Sequence, residues 1–162
     1  MSQSGIALLI AVLAANAHQA NNQKLCLAQA LYYEARGEGE RGQQAVAEVI
    51  LHRVYSGAHP NTICGVVYEP YQFSFAYDGS MRRKLEPQAW EASNRLAARL
   101  IHEETGRAIT KRTMFYHKAD IKPDWTKNLV RTAQIGNHIF YEPKKETHRP
   151  LRQINGTLSP QV

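Results

Sequence analysis

The chain has 162 residues, enough for one domain with a substantial core. Its 43% hydrophobic and 21% charged content excludes global disorder. A net charge of +6 favours a polyanionic partner such as an anionic cell wall, but the basic residues are scattered, without an aromatic-interleaved stripe or a helix-turn-helix signature, so no nucleic-acid partner is expected.

Residues 5–17 read as a helix of small and aliphatic residues. The apolar run from Ile6 to Ala15 is short for a bilayer, and no stable membrane span is expected. Ala15-Asn16-Ala17 looks like a signal-peptidase site, yet no Lys or Arg precedes the run. Residues 1–22 are thus an apolar helix or a signal-like segment, and the expectation taken is a helix packed on the domain. Asn21-Asn22-Gln23 breaks it and offers capping side chains. Leu25, Leu27, Ala28, Ala30 and Leu31 carry the next helix to Glu34 or Ala35, where Gly37 and Gly39 end it. From Arg41 or Gly42 a further helix is apolar almost all round, through Ala45, Val46, Ala47, Val49, Ile50, Leu51 and Val54. Such a helix belongs at the centre of a domain.

Residues 56–60 form a loop punctuated by Gly57 and Pro60, and residues 61–68 are short and mixed. Residues 69–80 are aromatic-rich and irregular, with turns at Pro70 and Asp78-Gly79. Pro87 sits in the first turn of a helix running to about Glu104, and Gly106 stops it. Thr113-Met114-Phe115-Tyr116 and Ile139-Phe140-Tyr141 are β-like runs expected to form a small two-stranded element. Residues 143–162 lose all periodicity and read as a basic tail, and the Asn155-Gly156-Thr157 sequon there is taken as chance. The fold class is mainly α, with a core domain at residues 23–142.

Glu34 is the first candidate for chemistry. It closes a buried helix beside a glycine-rich opening, where burial raises a carboxyl pKa and substrate still enters. The plainer alternative is a solvated glutamate paired with Arg36. Glu38, between two glycines, reads as too solvated to be the acid. Glu48, inside the apolar helix, needs a partner, and His52 or Arg53 would supply it. In Tyr71-Gln72-Phe73-Ser74-Phe75 an extended backbone puts the Gln72 amide and Ser74 hydroxyl on one face and the rings on the other. Tyr116, His117 and His138 form a weaker group. No zinc motif, nucleophile elbow, phosphate loop or dinucleotide fingerprint occurs, and neither metal nor cofactor is expected. Cys26 and Cys64 are either two buried thiols or one disulfide, which would imply an oxidising compartment.

The blocks ALYYEARGEGERGQQAVAEVILHRV, NTICGVVYEPYQFSF with its following DG, and FYHKADIKPDWTKNLVRTAQIGNHIFY resemble the SleB/CwlJ-type cell-wall hydrolases, the spore-cortex lytic enzyme family. The resemblance spans about Leu25 to Tyr141. It implies a compact lysozyme-like, lytic-transglycosylase-like helical domain with a small β element. It implies peptidoglycan glycan strands as substrate and the glutamate of the EARGE block, here Glu34, as the essential acid. Two features depart from that pattern. Tyr71 and Tyr77 stand where one branch carries cysteines, leaving only the Cys26–Cys64 pair, and His52-Arg53 replaces an Asn-Arg pair.

On that reading Glu34 acts alone as acid and base, with Tyr33, Gln72, Phe73, Ser74, Tyr116 and His117 as substrate-binding residues. The enzyme is expected to be monomeric and to work in the bacterial cell wall or periplasm, exported or released from a phage. The alternatives are a non-catalytic peptidoglycan-binding or phage structural module and a metal-dependent amidase built on His117, His138 and Asp120 or Asp124.

Overall fold

The computed structural model describes residues 3–102 and 106–144. Helix α1 (Gln3–Ala30) runs unbroken through Asn21-Asn22-Gln23 and passes into one π-helical turn, Leu31–Ala35. The expected break is absent because no glycine or proline lies between Gly5 and Gly37, and Asn and Gln cost a helix only a few tenths of a kcal/mol each. The expected packing of the first segment on the domain is also absent: Ile6, Leu8, Leu9, Ile10, Val12 and Leu13 are 46–68% exposed. Continuous burial begins at Cys26. None of the described helices is long and apolar enough to cross a membrane.

Helix α2 (Glu40–Ser56) buries every residue from Ala45 to Arg53, and Gly57, in the left-handed region, closes it. Helix α3 (Ile63–Val67) is capped by Thr62, whose hydroxyl accepts from the Gly65 N–H. Helix α4 (Pro87–Leu100) starts with Pro87 in its first turn, and the Glu86 carboxylate accepts from the N–H groups of Gln88 and Ala89. It stops at Leu100, short of the expected Glu104. The π turn, α3, α4 and the rings of Phe73 and Phe75 enclose the main core around α1 and α2. A disulfide joins Cys26 of α1 to Cys64 of α3 across 38 residues.

The β element has three antiparallel strands, not two: β1 (Phe115–Lys118), β2 (Leu129–Ile135) and β3 (His138–Pro143), in the order β1-β3-β2. Strand β2 escapes a reading by alternation because it is a half-exposed edge with a bulge between Arg131 and Ala133. Strand β3 reaches Pro143, one residue into the segment read as tail. The rest of that tail from residue 145, with Asn155, lies outside the described residues.

Three buried polar side chains of α2 tie this sheet to the helical core. The Glu48 carboxylate accepts from the backbone N–H groups of Arg107, Ala108 and Ile109 at 3.0–3.2 Å, and from the Gln44 amide at 3.1 Å. The His52 Nδ1–H donates to Thr113 O at 2.8 Å, and Arg53 Nε donates to Met114 O at 2.8 Å. The role of Glu48 is structural as expected, but its partners are backbone amides and Gln44 instead of His52 or Arg53. Each of those two side chains holds a later point on the same segment.

Glu48→Gln leaves one oxygen where two accept and turns an NH2 toward backbone donors. It is expected to lower unfolding free energy by about 2–3 kcal/mol in urea titration. An unchanged midpoint would show that the 107–109 segment does not depend on this carboxylate.

Candidate active site

Glu34 lies on the π turn, between buried Tyr32 and Ala35. π-Bulges of this kind recur at functional sites. It is half-buried. The Tyr116 hydroxyl donates to Glu34 Oε2 at 3.4 Å. Burial raises the Glu34 pKa, and an Asp78 carboxylate nearby adds to the rise. The Tyr116 hydrogen bond and the Lys118 ammonium oppose it without cancelling it. Arg36 does not pair with Glu34: its Nη1 donates to the Tyr32 hydroxyl at 2.7 Å and its guanidinium lies over the Tyr32 ring. Burial and the facing Glu34 hold the Tyr116 phenol well above its ordinary range, so it stays a donor.

Tyr116 is placed by what surrounds it. On β1 it pairs with Phe140 of β3, and its ring meets the His138 ring edge-on at a centroid distance of 4.9 Å. The strand follows directly on the segment held by Glu48, His52 and Arg53. Glu38 anchors the other side. Its Oε2 accepts from Asn137 N–H at 3.1 Å, and its Oε1 lies 3.9 Å from His138 Nδ1. Its side chain is 10% exposed, so the expectation of a solvated Glu38 is corrected. A Cβ at Gly136, where φ is +55°, would fall 1.8 Å from Glu38 Oε2, so this contact requires glycine there. Glu38 therefore fastens the β2–β3 turn to the loop that follows Glu34.

The aromatic loop forms the third wall. Tyr33, half-buried, stacks on Phe75 with centroids 4.8 Å apart. Gln72 and Ser74 are exposed while Phe73 and Phe75 are buried, so the expected alternation holds from 72 to 75. It fails at Tyr71, which is 88% exposed. The segment is not one extended strand, because Ser74–Ala76 forms a 3-10 turn. The Gln72 amide oxygen accepts from Arg53 Nη1 at 2.9 Å. Asp78 Oδ1 accepts from Ser80 N–H at 2.8 Å, and this contact, with Ser80 and Ser74 side chains, holds the Asp78 carboxyl below its ordinary range.

Glu34, Tyr33 and Tyr116 thus come together, with Gln72 and Ser74 on the adjoining loop. Phe73 and His117 do not join them. Phe73 is 3% exposed and packs under the Arg53 guanidinium, out of reach of a ligand. His117 faces away from Tyr116 because neighbours on a strand point to opposite sides. Its Nδ1–H donates to Lys118 O, and its Nε2 accepts from the Tyr141 hydroxyl. Among the described residues no group of three His, Cys, Asp or Glu side chains could hold a metal ion. Sequence reasoning missed Lys118 and Asp78. Strand alternation carried the signal for Lys118, which shares Tyr116's face. For Asp78, read only as a turn residue, there was none. A cavity of about 500 Å³ lined by His52, Tyr55, Lys111 and Met114 lies at the far end of α2 and contains none of these groups.

Residues 37–141 match a family described as cell wall hydrolase. The match begins just after the turn that carries Glu34. The spore cortex-lytic enzyme of Bacillus subtilis (strain 168) is 35% identical over 123 residues, covering 75% of this chain and 38% of that protein. The spore cortex-lytic enzyme of Bacillus cereus is 35% identical over 129 residues, covering 77% and 46%. The chain thus spans less than half the length of these two relatives. The cell wall hydrolase CwlJ of Bacillus subtilis (strain 168) is 28% identical over 127 residues, covering 75% of this chain and 85% of that one. Among solved structures, the catalytic domain of the germination-specific lytic transglycosylase SleB from Bacillus anthracis superimposes with a TM-score of 0.61 at 32% identity. It covers 75% of this chain and 94% of that one. The catalytic domain of the Bacillus cereus SleB protein gives a TM-score of 0.58 at 32% identity, covering 75% and 91%.

Because the folded chain holds the Glu34 proton more tightly than the unfolded chain does, the charged form costs stability above the native pKa. Glu34→Gln is therefore expected to be more stable than wild type at neutral pH. The gain should fade as pH falls through the native value to the ordinary carboxyl range. Urea unfolding at neutral and at acid pH measures this, and a destabilised variant at neutral pH would contradict it.

Proposed function

This chain belongs to the cell wall hydrolase family, and we propose that it cleaves the β-1,4 bond between N-acetylmuramic acid and N-acetylglucosamine in peptidoglycan. The observation that carries the proposal is Glu34 itself: a half-buried carboxyl with a raised pKa, on a π turn, facing a tyrosine hydroxyl. In its protonated form Glu34 gives its proton to the glycosidic oxygen as the C1–O bond breaks. The C6 hydroxyl of the muramic residue then attacks C1, and the Glu34 carboxylate takes the hydroxyl proton. The product is a 1,6-anhydro sugar, and one acid suffices. Tyr116 holds the carboxyl in place, and Gln72 and Ser74 offer an amide and a hydroxyl to N-acetyl groups.

Hydrolysis is the second reading, favoured by one observation. Asp78 is kept ionised by Ser80 and Ser74 and lies near enough to influence Glu34. A second carboxylate of that kind activates a water in paired-carboxylate glycosidases. Cys26–Cys64 supports work in an oxidising compartment outside the cytoplasm, and the net charge of +6 suits an anionic wall polymer.

Glu34→Gln is nearly isosteric and is expected to lower the rate of peptidoglycan turbidity loss by about a hundredfold or more. Lysis at the wild-type rate would end the assignment. Mass spectrometry of the digest should give 1,6-anhydro ends, and reducing ends alone would select hydrolysis. In the pH profile of kcat/KM the alkaline limb reports loss of the Glu34 proton. Tyr116→Phe removes a hydrogen bond that favours the charged form, so that limb should move to higher pH. Movement to lower pH would contradict the assigned role of Tyr116.

A further inference from the structure

Tyr71 and Tyr77 are 88% and 62% exposed, yet both stand on the loop that walls the candidate site. Tyr71 occupies an unfavourable conformation. Gln72 N–H donates to Glu69 O at 3.2 Å, closing a turn with Pro70 in second place. Tyr71, in third place, has φ +65°, the only positive value at a non-glycine residue among those described. A turn of this pattern favours glycine or asparagine at that position. An aromatic residue there is strained, and a ring left in water recovers nothing from burial to offset the strain. The two rings stand together, with centroids 6.3 Å apart and planes at 64°.

Both rings are tied to the site by their neighbours in the chain. Gln72, after Tyr71, is held by Arg53. Phe75, between them, stacks on Tyr33, which precedes Glu34. Asp78 follows Tyr77 and is bonded to Ser80. An exposed tyrosine pair offers flat apolar faces with polar tips. The C–H face of a pyranose ring matches such a surface, and the flanking amide and carboxylate match its hydroxyl and N-acetyl groups.

We propose that Tyr71 and Tyr77 form a stacking subsite for an N-acetylhexosamine ring of the glycan strand, next to the sugars that Glu34 acts on. The inference rests on the peptidoglycan reading and adds a binding site to it. The strain at Tyr71 is then offset only when a sugar covers the ring.

The test uses the full chain carrying Glu34→Gln, so that nothing is cleaved, titrated with peptidoglycan glycan strands stripped of stem peptides. Tyr71→Gly removes the ring and gives the turn the residue it favours, so this variant folds at least as well as its parent. Tyr71→Gly and Tyr77→Ala are each expected to weaken glycan binding by about tenfold, whereas Tyr71→Trp retains it. In the Glu34-containing protein the same loss should appear in KM. If the Glu34→Gln parent binds the glycan, the Glu34-containing protein lyses peptidoglycan, and Tyr71→Gly binds as tightly as its parent, the subsite is wrong and the catalytic reading stands. If the Glu34→Gln parent does not bind the glycan and the Glu34-containing protein does not lyse peptidoglycan, both fall.

Discussion

The Glu48 carboxylate, sunk in the central helix and ringed by three backbone N–H groups, is the contact on which the remaining architecture depends. A buried charge needs donors, and the segment at residues 107–109, without regular structure, needs acceptors. Each requirement meets the other. Four and five residues further along α2, His52 and Arg53 hold the carbonyls of Thr113 and Met114 in the same way. The helix thus reads a stretch of chain with no periodicity of its own and delivers it in register to β1. Thr113, fully buried, continues the connection through its hydroxyl to Thr110 and Thr132.

What this scaffold delivers is Tyr116, set opposite a carboxyl from another part of the chain. Glu34 comes from the end of α1 and Tyr116 from a strand 82 residues later. Neither would hold the pair alone. The disulfide and α3 brace the α1 side, while Glu38 clamps the β2–β3 turn from the other. The electrostatics follow from that closure. Burial pushes the Glu34 proton affinity up, and Tyr116 and Lys118 limit the rise. In the proposed mechanism Glu34 gives a proton and then takes one back, which needs such a balance, because an affinity too far in either direction stops one half of the cycle.

Much of this was legible in the sequence wherever a single residue type has a single physical consequence. The all-round apolar pattern from Ala45 to Val54 marks a central helix, and α2 is buried there. Glycines after Ala35 mark the end of the helix that bears Glu34, and the structure ends it there. The EARGE block carried the family. Most of the misses at the site have a different cause: they depend on partners distant in sequence. Glu38 looks solvated between two glycines until the 136–137 turn closes over it. Glu48 looks destined for His52 or Arg53 until the 107–109 amides arrive. Phe73 and His117 carry the chemistry of sugar binding, but the core and the far face of β1 claim them. Strand β2, bulged and half-exposed, leaves no alternation to read.

The central claim is that Glu34 is a shielded carboxyl that still holds its proton where an ordinary glutamate has lost it. Carbon-13 NMR titration of the glutamate side-chain carboxyls, with Glu34 assigned by its loss in Glu34→Gln, measures this directly. The account predicts a midpoint for Glu34 clearly above the ordinary range of a solvent-exposed glutamate. A Glu34 midpoint within or below that ordinary range would contradict it.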